Sequence, residues 1–242
     1  MRFENKIAIV AGGAGGIGKG VSKALAKEGA QVVVWDIKQE LLDKITEEIT
    51  NDGGKVDTAI VDILDYDCVA KAVNETAEKY GRLDILVSCV GGGHFKPFIE
   101  YTPEFWQKEL QYNVGSVFNC FNNALKVMLK QNYGRLLCFM STTGGTPGLT
   151  AYGAAKAGCK AIIENIKAEY VKNGITANAV MPNFTDTPFA MSAFDDTPAG
   201  KAALEYTLSL SPLGINKPEY VAKTVLNVLD DDRLTGQIIS LL

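Results

Sequence analysis

The chain has 242 residues, of which 47% are hydrophobic and 21% charged, as is typical of a folded globular protein. Its formal net charge of −4 offers no basic surface for nucleic acid or for an anionic membrane, so neither is expected as a partner. The first residues lack the apolar core of a secretory signal, and the five cysteines form no C-x-x-C pair. These features favour a cytoplasmic protein with reduced thiols. No cluster has metal-ligand spacing, so no metal is expected.

Apolar strand-like segments alternate with amphipathic helix-like segments along the chain. The predicted strands are 7–11, 32–35, 56–61, 83–90, 134–140, 175–181 and 236–242, and the predicted helices are 17–28, 39–51, 68–80, 102–131, 152–173 and 219–229. Nearly continuous apolar strands separated by helices indicate a parallel sheet that is covered on both faces. We therefore expect an α/β fold, a single-domain doubly wound (Rossmann) parallel sheet of about seven strands over residues 1–242.

The alternation stops between residues 183 and 212. Aromatic and other apolar residues occur there among Thr, Ser, Asp, Pro and Gly. Long irregular insertions in compact domains are commonly lids or binding loops, so this segment is predicted to be a substrate loop. A surface excursion without function is the alternative. We expect a cofactor half at about 1–100 and a catalytic and substrate half at about 101–242.

A glycine-rich turn follows the first predicted strand and leads into a helix. Its glycines satisfy G-x-G-x-x-G at 13, 15 and 18 and G-x-x-x-G-x-G at 12, 16 and 18. Glycines let the backbone turn sharply and approach a pyrophosphate, and the helix amino terminus offers free N–H groups. The strand before and the helix after supply the context that a dinucleotide-binding turn requires.

Two acidic residues follow the next two strands. Asp36 ends the second strand, where its carboxylate could accept hydrogen bonds from the adenosine ribose and would repel a 2′-phosphate. Because the turn carries no Arg or Lys, NAD is favoured over NADP, although Lys38 is close; a solvated strand-end carboxylate is the alternative. Asp62, or the backbone of Ile63, could contact adenine, and Asp62 could equally cap the helix that starts near Asp65.

Ser141, Tyr152 and Lys156 form the predicted catalytic group. Tyr152 and Lys156 are four residues apart, so they lie on the same side of one helix. A neighbouring ammonium group favours the phenolate, which allows a tyrosine to exchange protons. A dinucleotide turn together with such a tyrosine indicates hydride transfer coupled to proton transfer.

These motifs, in this order and spacing, resemble those of the short-chain dehydrogenase/reductase family over nearly the whole chain. The residues that carry the resemblance are Gly12-x-x-x-Gly16-x-Gly18, Asp36, Asp62, Asn113, Ser141, Tyr152-x-x-x-Lys156 and Pro182 to Thr187. The resemblance implies that Tyr152 is the general acid/base and that Lys156 assists it and holds the nicotinamide ribose. It further implies that Ser141 binds the substrate oxygen and that Asn113 supports a water chain from Lys156. A core amide satisfied by backbone is the alternative for Asn113.

The expected cofactor contacts follow from the same comparison. They are Gly12, Gly15, Gly16, Ile17, Gly18, Asp36, Ile37, Asp62, Ile63, Cys89, Val90, Gly91, Tyr152, Lys156, Pro182, Thr185 and Thr187. The chain departs from the family pattern in three places: Ser88-Cys89-Val90-Gly91 replaces Asn-Asn-Ala-Gly, Pro182-Asn183 replaces Pro-Gly, and the sequence given stops at Leu242, short of the usual Asp-Gly-Gly. None of these departures removes the catalytic residues.

The residues expected around the substrate are mostly apolar or neutral, without an arginine cluster. They are His94, Phe95, Phe98, Thr142, Thr143, Gly145, Phe184, Phe189, Met191 and Phe194, and a surface-loop histidine is the alternative for His94. We therefore expect a NAD-dependent oxidoreductase for an apolar secondary alcohol or ketone. The alternatives are a 3-oxoacyl-thioester (ACP or CoA) reductase of the same family and a catalytically silent NAD-binding sensor. Family resemblance also implies a homodimer or homotetramer. The apolar positions that fit its seam are Phe118, Phe121, Ile162, Ile163 and Ile166, although packing in the core explains some of them equally well.

Overall fold

One parallel sheet of seven strands organises the computed structural model, which describes residues 1–141, 145–192, 201, 204–205, 208–209 and 213–241. The strands are β1 (Ile7–Ala11), β2 (Gln31–Asp36), β3 (Lys55–Ile60), β4 (Ile85–Ser88), β5 (Gly134–Phe139), β6 (Ile175–Met181) and β7 (Ile238–Ser240). Their order is β3-β2-β1-β4-β5-β6-β7, and every neighbouring pair is parallel. The order reverses between β1 and β4. The carboxyl ends of those strands therefore flank the crevice in which doubly wound folds bind ligands.

Helices cover both faces of the sheet. They are α1 (Gly16–Lys27), α2 (Gln39–Asn51), α3 (Tyr66–Tyr80), α4 (Pro103–Leu110), α5 (Ser116–Gln131), α6 (Thr150–Tyr170), α7 (Pro188–Met191) and α8 (Pro218–Asp230). One apolar core contains residues of α1, α2 and α8, and the other contains residues of α3, α5 and α6. The expected doubly wound α/β fold is confirmed.

Alternate strand residues enter opposite cores, which explains the nearly continuous apolar runs. In β1, Ile9 belongs to the core with α3, α5 and α6, whereas Ala8 and Val10 belong to the core with α1, α2 and α8. All three side chains are fully buried. Successive side chains of a strand point to opposite faces, so a strand covered on both sides must be apolar throughout.

Two predicted elements differ from those observed. The chain predicted to be helical over 102–131 is helical from residue 103, but a π-helical turn at Gln111–Gly115 divides it into α4 and α5. The strand predicted over 83–90 is limited to β4 because the chain beyond it leaves the sheet and crosses the glycine turn. A Cβ added at Gly12 would lie 2.6 Å from Val90 Cγ2.

Most of the apolar positions assigned to a subunit seam are core residues of the chain itself. Phe121, Ile163 and Ile166 are buried, so for these three the core explanation is correct. Phe118 is 50% exposed and stacks on Tyr66 with ring centroids 6.0 Å apart. Within the described residues, no helix combines the length and apolarity that crossing a membrane requires.

Candidate active site

The glycine turn closes tightly between β1 and α1. The N–H groups of Gly12 and Gly13 both donate to the Trp35 carbonyl, at 2.8 and 3.1 Å, which fixes the turn against the end of β2. Gly12 has φ +69° and Gly16 has φ +50°, in the left-handed region that favours glycine. A Cβ at Gly18 would collide with the Gly12 carbonyl oxygen, so this helix position also requires glycine.

The first turn of α1 is open to an anion. Gly15 is the N-cap residue, no side chain caps the helix, and its first turn holds no acidic residue. A Cβ added at Gly15 would meet no described atom closer than Leu41 Cδ1 at 3.9 Å. Uncapped N–H groups facing open space, at the positive end of a twelve-residue helix, fit the pyrophosphate of a dinucleotide.

Asp36 lies at the carboxyl end of β2 beside this turn. Its Oδ1 accepts hydrogen bonds from the backbone N–H groups of Ile37 at 2.9 Å and Lys38 at 3.2 Å. These bonds orient the carboxylate and leave Oδ2 for a ribose hydroxyl. Ile37 is 64% exposed, so its side chain could lie against a flat ring.

The segment after β3 shows which aspartate caps α3. Asp65, rather than Asp62, is the N-cap of α3, because its carboxylate accepts from the N–H groups of Asp67 and Cys68 at 2.9 and 3.0 Å. Asp62 instead accepts from the N–H of Leu64 at 2.9 Å, and its side chain is exposed. Asp62 as a helix cap is therefore wrong, while its contact with adenine stays a prediction.

Asn113 fastens the segment after β4 to the π-helical turn. The buried side chain accepts from the Gly92 N–H at 3.0 Å and donates to the Gly92 and Glu109 carbonyls at 2.9 and 3.0 Å. Its own carbonyl accepts a long bond from the Cys159 thiol, at 3.7 Å. The amide is thus satisfied by backbone, and any contact with a water chain would be made by the Asn113 carbonyl.

Gly91 and Gly93 pack against α6, the helix that carries Tyr152 and Lys156. A Cβ at Gly91 would lie 3.0 Å from Lys156 Nζ, and one at Gly93 would lie 3.0 Å from Tyr152 Cγ. Cys89, which begins this segment, donates its N–H to the Ala11 carbonyl at 2.8 Å, and burial raises the pKa of its thiol. The absence of larger side chains lets the segment lie directly on α6.

Lys156 is held in the interior next to Tyr152. Its side chain is almost fully buried, and Nζ donates to the Phe139 carbonyl at 2.8 Å. Nζ lies 5.4 Å from the centroid of the Tyr152 ring. Ser141 follows β5 by two residues and is half-buried. Lys156 is therefore anchored at the carboxyl end of β5, the strand that leads to Ser141.

The segment after β6 returns to the glycine turn. Asn183 adopts φ +55°, a conformation that asparagine tolerates better than most residues, which explains how it can replace glycine after Pro182. The buried hydroxyl of Thr187 accepts from the Ala190 N–H at 3.1 Å and caps α7. A Cβ added at Gly16 would lie 3.3 Å from Thr187 Cγ2. Thr187 is thereby brought to the glycine turn, and Thr185, whose hydroxyl donates to the Pro182 carbonyl at 3.3 Å, precedes it in the same segment.

The structure describes only some of the predicted substrate residues, and several of those are exposed. His94, Phe95 and Phe98 are exposed, the two aromatic rings by 70% and 65%, so the structure does not enclose them in a pocket. Phe184 and Met191 are half-buried, and Gly145 has φ +80°. Thr142, Thr143 and Phe194 lie outside the described residues, as does the side chain of Phe189. The described residues contain no group of His, Cys, Asp and Glu that could hold a metal ion.

Two functional groups were not identified from the sequence. The Phe139 carbonyl, which accepts from Lys156, is a backbone atom without a sequence signal. Glu109, whose Oε1 lies 2.7 Å from His94 Nδ1, precedes Asn113 by four residues and so shares its helix face. That spacing could have identified Glu109 as a neighbour of the site, but not its partner 15 residues away.

Known proteins resemble this chain over nearly its full length. A family model described as short chain dehydrogenase matches residues 6–198. The 3-oxoacyl-[acyl-carrier-protein] reductase FabG of Thermotoga maritima is 35% identical and covers 100% of this chain and 98% of its own. An actinorhodin polyketide ketoreductase with NADPH has a TM-score of 0.92 at 26% identity, covering 100% of this chain and 97% of its own. A 7α-hydroxysteroid dehydrogenase complexed with NADH and 7-oxo glycochenodeoxycholic acid also has a TM-score of 0.92 at 26% identity, covering 99% and 94%.

Proposed function

Because the chain belongs to the short-chain dehydrogenase family, we propose that it transfers a hydride between NAD and an apolar secondary alcohol or ketone. The observation that carries the proposal is the buried Lys156 ammonium, fixed by the Phe139 carbonyl beside the Tyr152 ring. A cation at this position can stabilise the charge that develops as Tyr152 exchanges a proton with the substrate oxygen. The nicotinamide would supply the hydride chemistry.

The protein's own residues divide the remaining work. Tyr152 removes the hydroxyl proton during oxidation and returns it to the carbonyl oxygen during reduction. Ser141 donates a hydrogen bond to that oxygen as charge develops on it. Lys156 holds its ammonium beside Tyr152, and Asn113 fixes the segment that packs on both residues. Residues of about 1–100 bind the cofactor, and those of about 101–242 supply catalysis and the substrate site.

Asp36 supports NAD as the cofactor. Its carboxylate is oriented by two backbone N–H groups at the end of β2, where a ribose hydroxyl would donate and a 2′-phosphate would be repelled. Lys19, the first cation of α1, is paired with Glu48. The two similar solved structures were obtained with NADPH and with NADH, so likeness to them favours neither cofactor.

A 3-oxoacyl-thioester reductase is the second candidate function. It is favoured by the 35% identity to the Thermotoga maritima protein that bears this name. Both candidates interconvert a secondary alcohol and a ketone with the same residues, so they differ in cofactor and in the group attached to the ketone. A silent NAD-binding sensor is the third reading, and it requires that Tyr152 perform no chemistry.

The first experiment follows nicotinamide absorbance with NAD and NADP over cyclic, aryl and aliphatic secondary alcohols, and with NADH and NADPH over a 3-oxoacyl thioester. We expect turnover with NAD and an apolar alcohol, and a loss of about 100- to 10,000-fold in Tyr152→Phe. Tyr170→Phe, at the far end of α6, is the matched control and should retain activity. Turnover confined to NADPH and the thioester would replace the first candidate with the second. Cofactor binding without turnover on any of these substrates would favour the sensor.

A further inference from the structure

Glu109 is a buried carboxylate for which the proposed reaction provides no role. Its side chain is 4% exposed, Oε1 lies 2.7 Å from His94 Nδ1, and Oε2 has no hydrogen-bond partner among the described residues. Burial raises the pKa of the nearby Tyr112, and the charge of Glu109 raises it further. A buried carboxylate is costly unless it is paired, so the contact with His94 must stabilise the Glu109 side chain.

The pair is joined to the catalytic residues through three consecutive residues. Gly92 is bound at both its N–H and its carbonyl by Asn113, and Gly93 packs against the Tyr152 ring. His94 follows directly. This segment is therefore held by two side chains near the junction of α4 and the π-helical turn. The Asn113 amide binds Gly92, and the Glu109 carboxylate contacts His94. The imidazole is thereby fixed close to the residue that exchanges the proton.

The exposure of His94 argues against a purely structural contact. Its side chain is 61% exposed although Nδ1 is engaged by a buried group. With Nδ1 engaged by Glu109, Nε2 is the ring nitrogen that is left for a ligand. Where Nδ1 donates to the Glu109 carboxylate, Nε2 accepts a hydrogen bond in the neutral imidazole and donates one in the protonated imidazole. A hydroxyl group both donates and accepts, so it matches Nε2 in either state.

We propose that Glu109 positions His94 as a substrate-binding residue, and that Nε2 binds a second hydroxyl group on an otherwise apolar alcohol. This inference rests on the proposed function, because it assigns the reacting hydroxyl to Tyr152. It narrows the substrate class to diols and hydroxyketones whose second oxygen lies away from the reacting carbon. Phe95 directly follows His94, and its exposed ring is available to the apolar remainder of such a substrate.

NMR tests the inference without requiring turnover, because His94 is the chain's one histidine and its imidazole signals need no assignment. The NAD-bound protein is titrated with the isomers of cyclohexanediol and with cyclohexanol. We expect at least one diol to shift the imidazole nitrogen signals at concentrations at which cyclohexanol leaves them unchanged. Glu109→Gln should alter the same signals in the free protein, while Glu104→Gln, an exposed change on α4, should not. Absence of any diol-specific shift would overturn the proposal.

Kinetics separate a substrate contact from a structural one. In His94→Ala, the KM for the responsive diol should rise about tenfold relative to the KM for cyclohexanol, as expected for one lost hydrogen bond. An equal rise in KM for both substrates would identify the His94–Glu109 pair as structural and contradict the inference. If the imidazole responds to a diol but no alcohol is turned over, the proposed function fails and the binding assignment stands.

Discussion

Gly15 and Gly18 stand three residues apart in one turn, yet a methyl group added to each would meet different surroundings. At Gly18 it would collide with the carbonyl of Gly12, a backbone atom that cannot move without opening the turn. At Gly15 the backbone is extended, with φ −137°, and the added atom would contact only Leu41 at 3.9 Å. A substitution at Gly18 therefore tests the packing within the turn, whereas a substitution at Gly15 tests only the space in front of the turn.

Gly18→Ala is expected to lower the unfolding free energy by about 1–3 kcal/mol, as overpacking does in a tight core. It should also weaken NAD binding, because relief of the collision displaces the N–H groups that face the pyrophosphate. Gly15→Ala is the matched control and should change stability by less than about 0.5 kcal/mol. Urea unfolding and calorimetric titration with NAD measure the two effects. Equal stability of the two variants would show that the turn tolerates a side chain at residue 18.

At the scale of elements, the alternation of strands and helices was predictable because each buried parallel strand is apolar on both faces. The interruption of the helix at Gln111–Gly115 was not, because its apolar spacing continues from α4 into α5 without a proline. The Tyr152–Lys156 pair was predictable from helical spacing alone. The His94–Glu109 pair was not, since it joins a loop to a helix, and no local pattern specifies such a contact.

The contact between α1 and α2 predicts a pH dependence of stability. Glu48 of α2 binds Lys19 and Lys23 of α1. The hydrogen bond from Lys19 is the largest cause that lowers the pKa of Glu48; burial opposes it, and the hydrogen bond from Lys23 adds to it. A carboxyl whose pKa is lowered by folding stabilises the fold above its unfolded-state pKa. This stabilisation is lost as the pH falls through the lowered folded-state value.

We expect Glu48→Gln to lower the unfolding free energy by less than about 1 kcal/mol near neutral pH, because the groups are partly exposed and solvent screens them. The difference from the unmodified protein should shrink as the pH falls below the ordinary pKa of a glutamate and through the lowered folded-state pKa, where Glu48 itself becomes neutral. Urea unfolding of both proteins across this pH range measures the difference in unfolding free energy. Glu47→Gln, an exposed neighbour outside the network, is the control and should show no such trend. A difference that persists in acid would mean that the contact acts by packing rather than by charge.

Across the whole molecule, the two ends of the sheet carry different tasks. The carboxyl ends of the central strands hold the glycine turn, Ser141 and the Lys156 anchor. At the amino ends, the fully buried Asp84 joins three strands: its Oδ2 accepts from the Ile7 N–H at 2.9 Å, and its carbonyl accepts from the Arg135 N–H at 2.8 Å. Arg82 also donates to the carboxylate, and this hydrogen bond raises the pKa of the guanidinium.

Asp84→Asn is therefore expected to affect stability and not catalysis. Loss of the charge-assisted bonds from Ile7 and Arg82 should lower the unfolding free energy by about 2 kcal/mol. Asp230→Asn breaks an ion pair with Arg2 that is exposed on both sides, so it should cost less than about 1 kcal/mol. Denaturant unfolding would measure both, and the kcat of the folded fraction should match the unmodified protein in each case. A fall in kcat for Asp84→Asn would mean that the amino ends of β1, β4 and β5 help to set the geometry at their carboxyl ends.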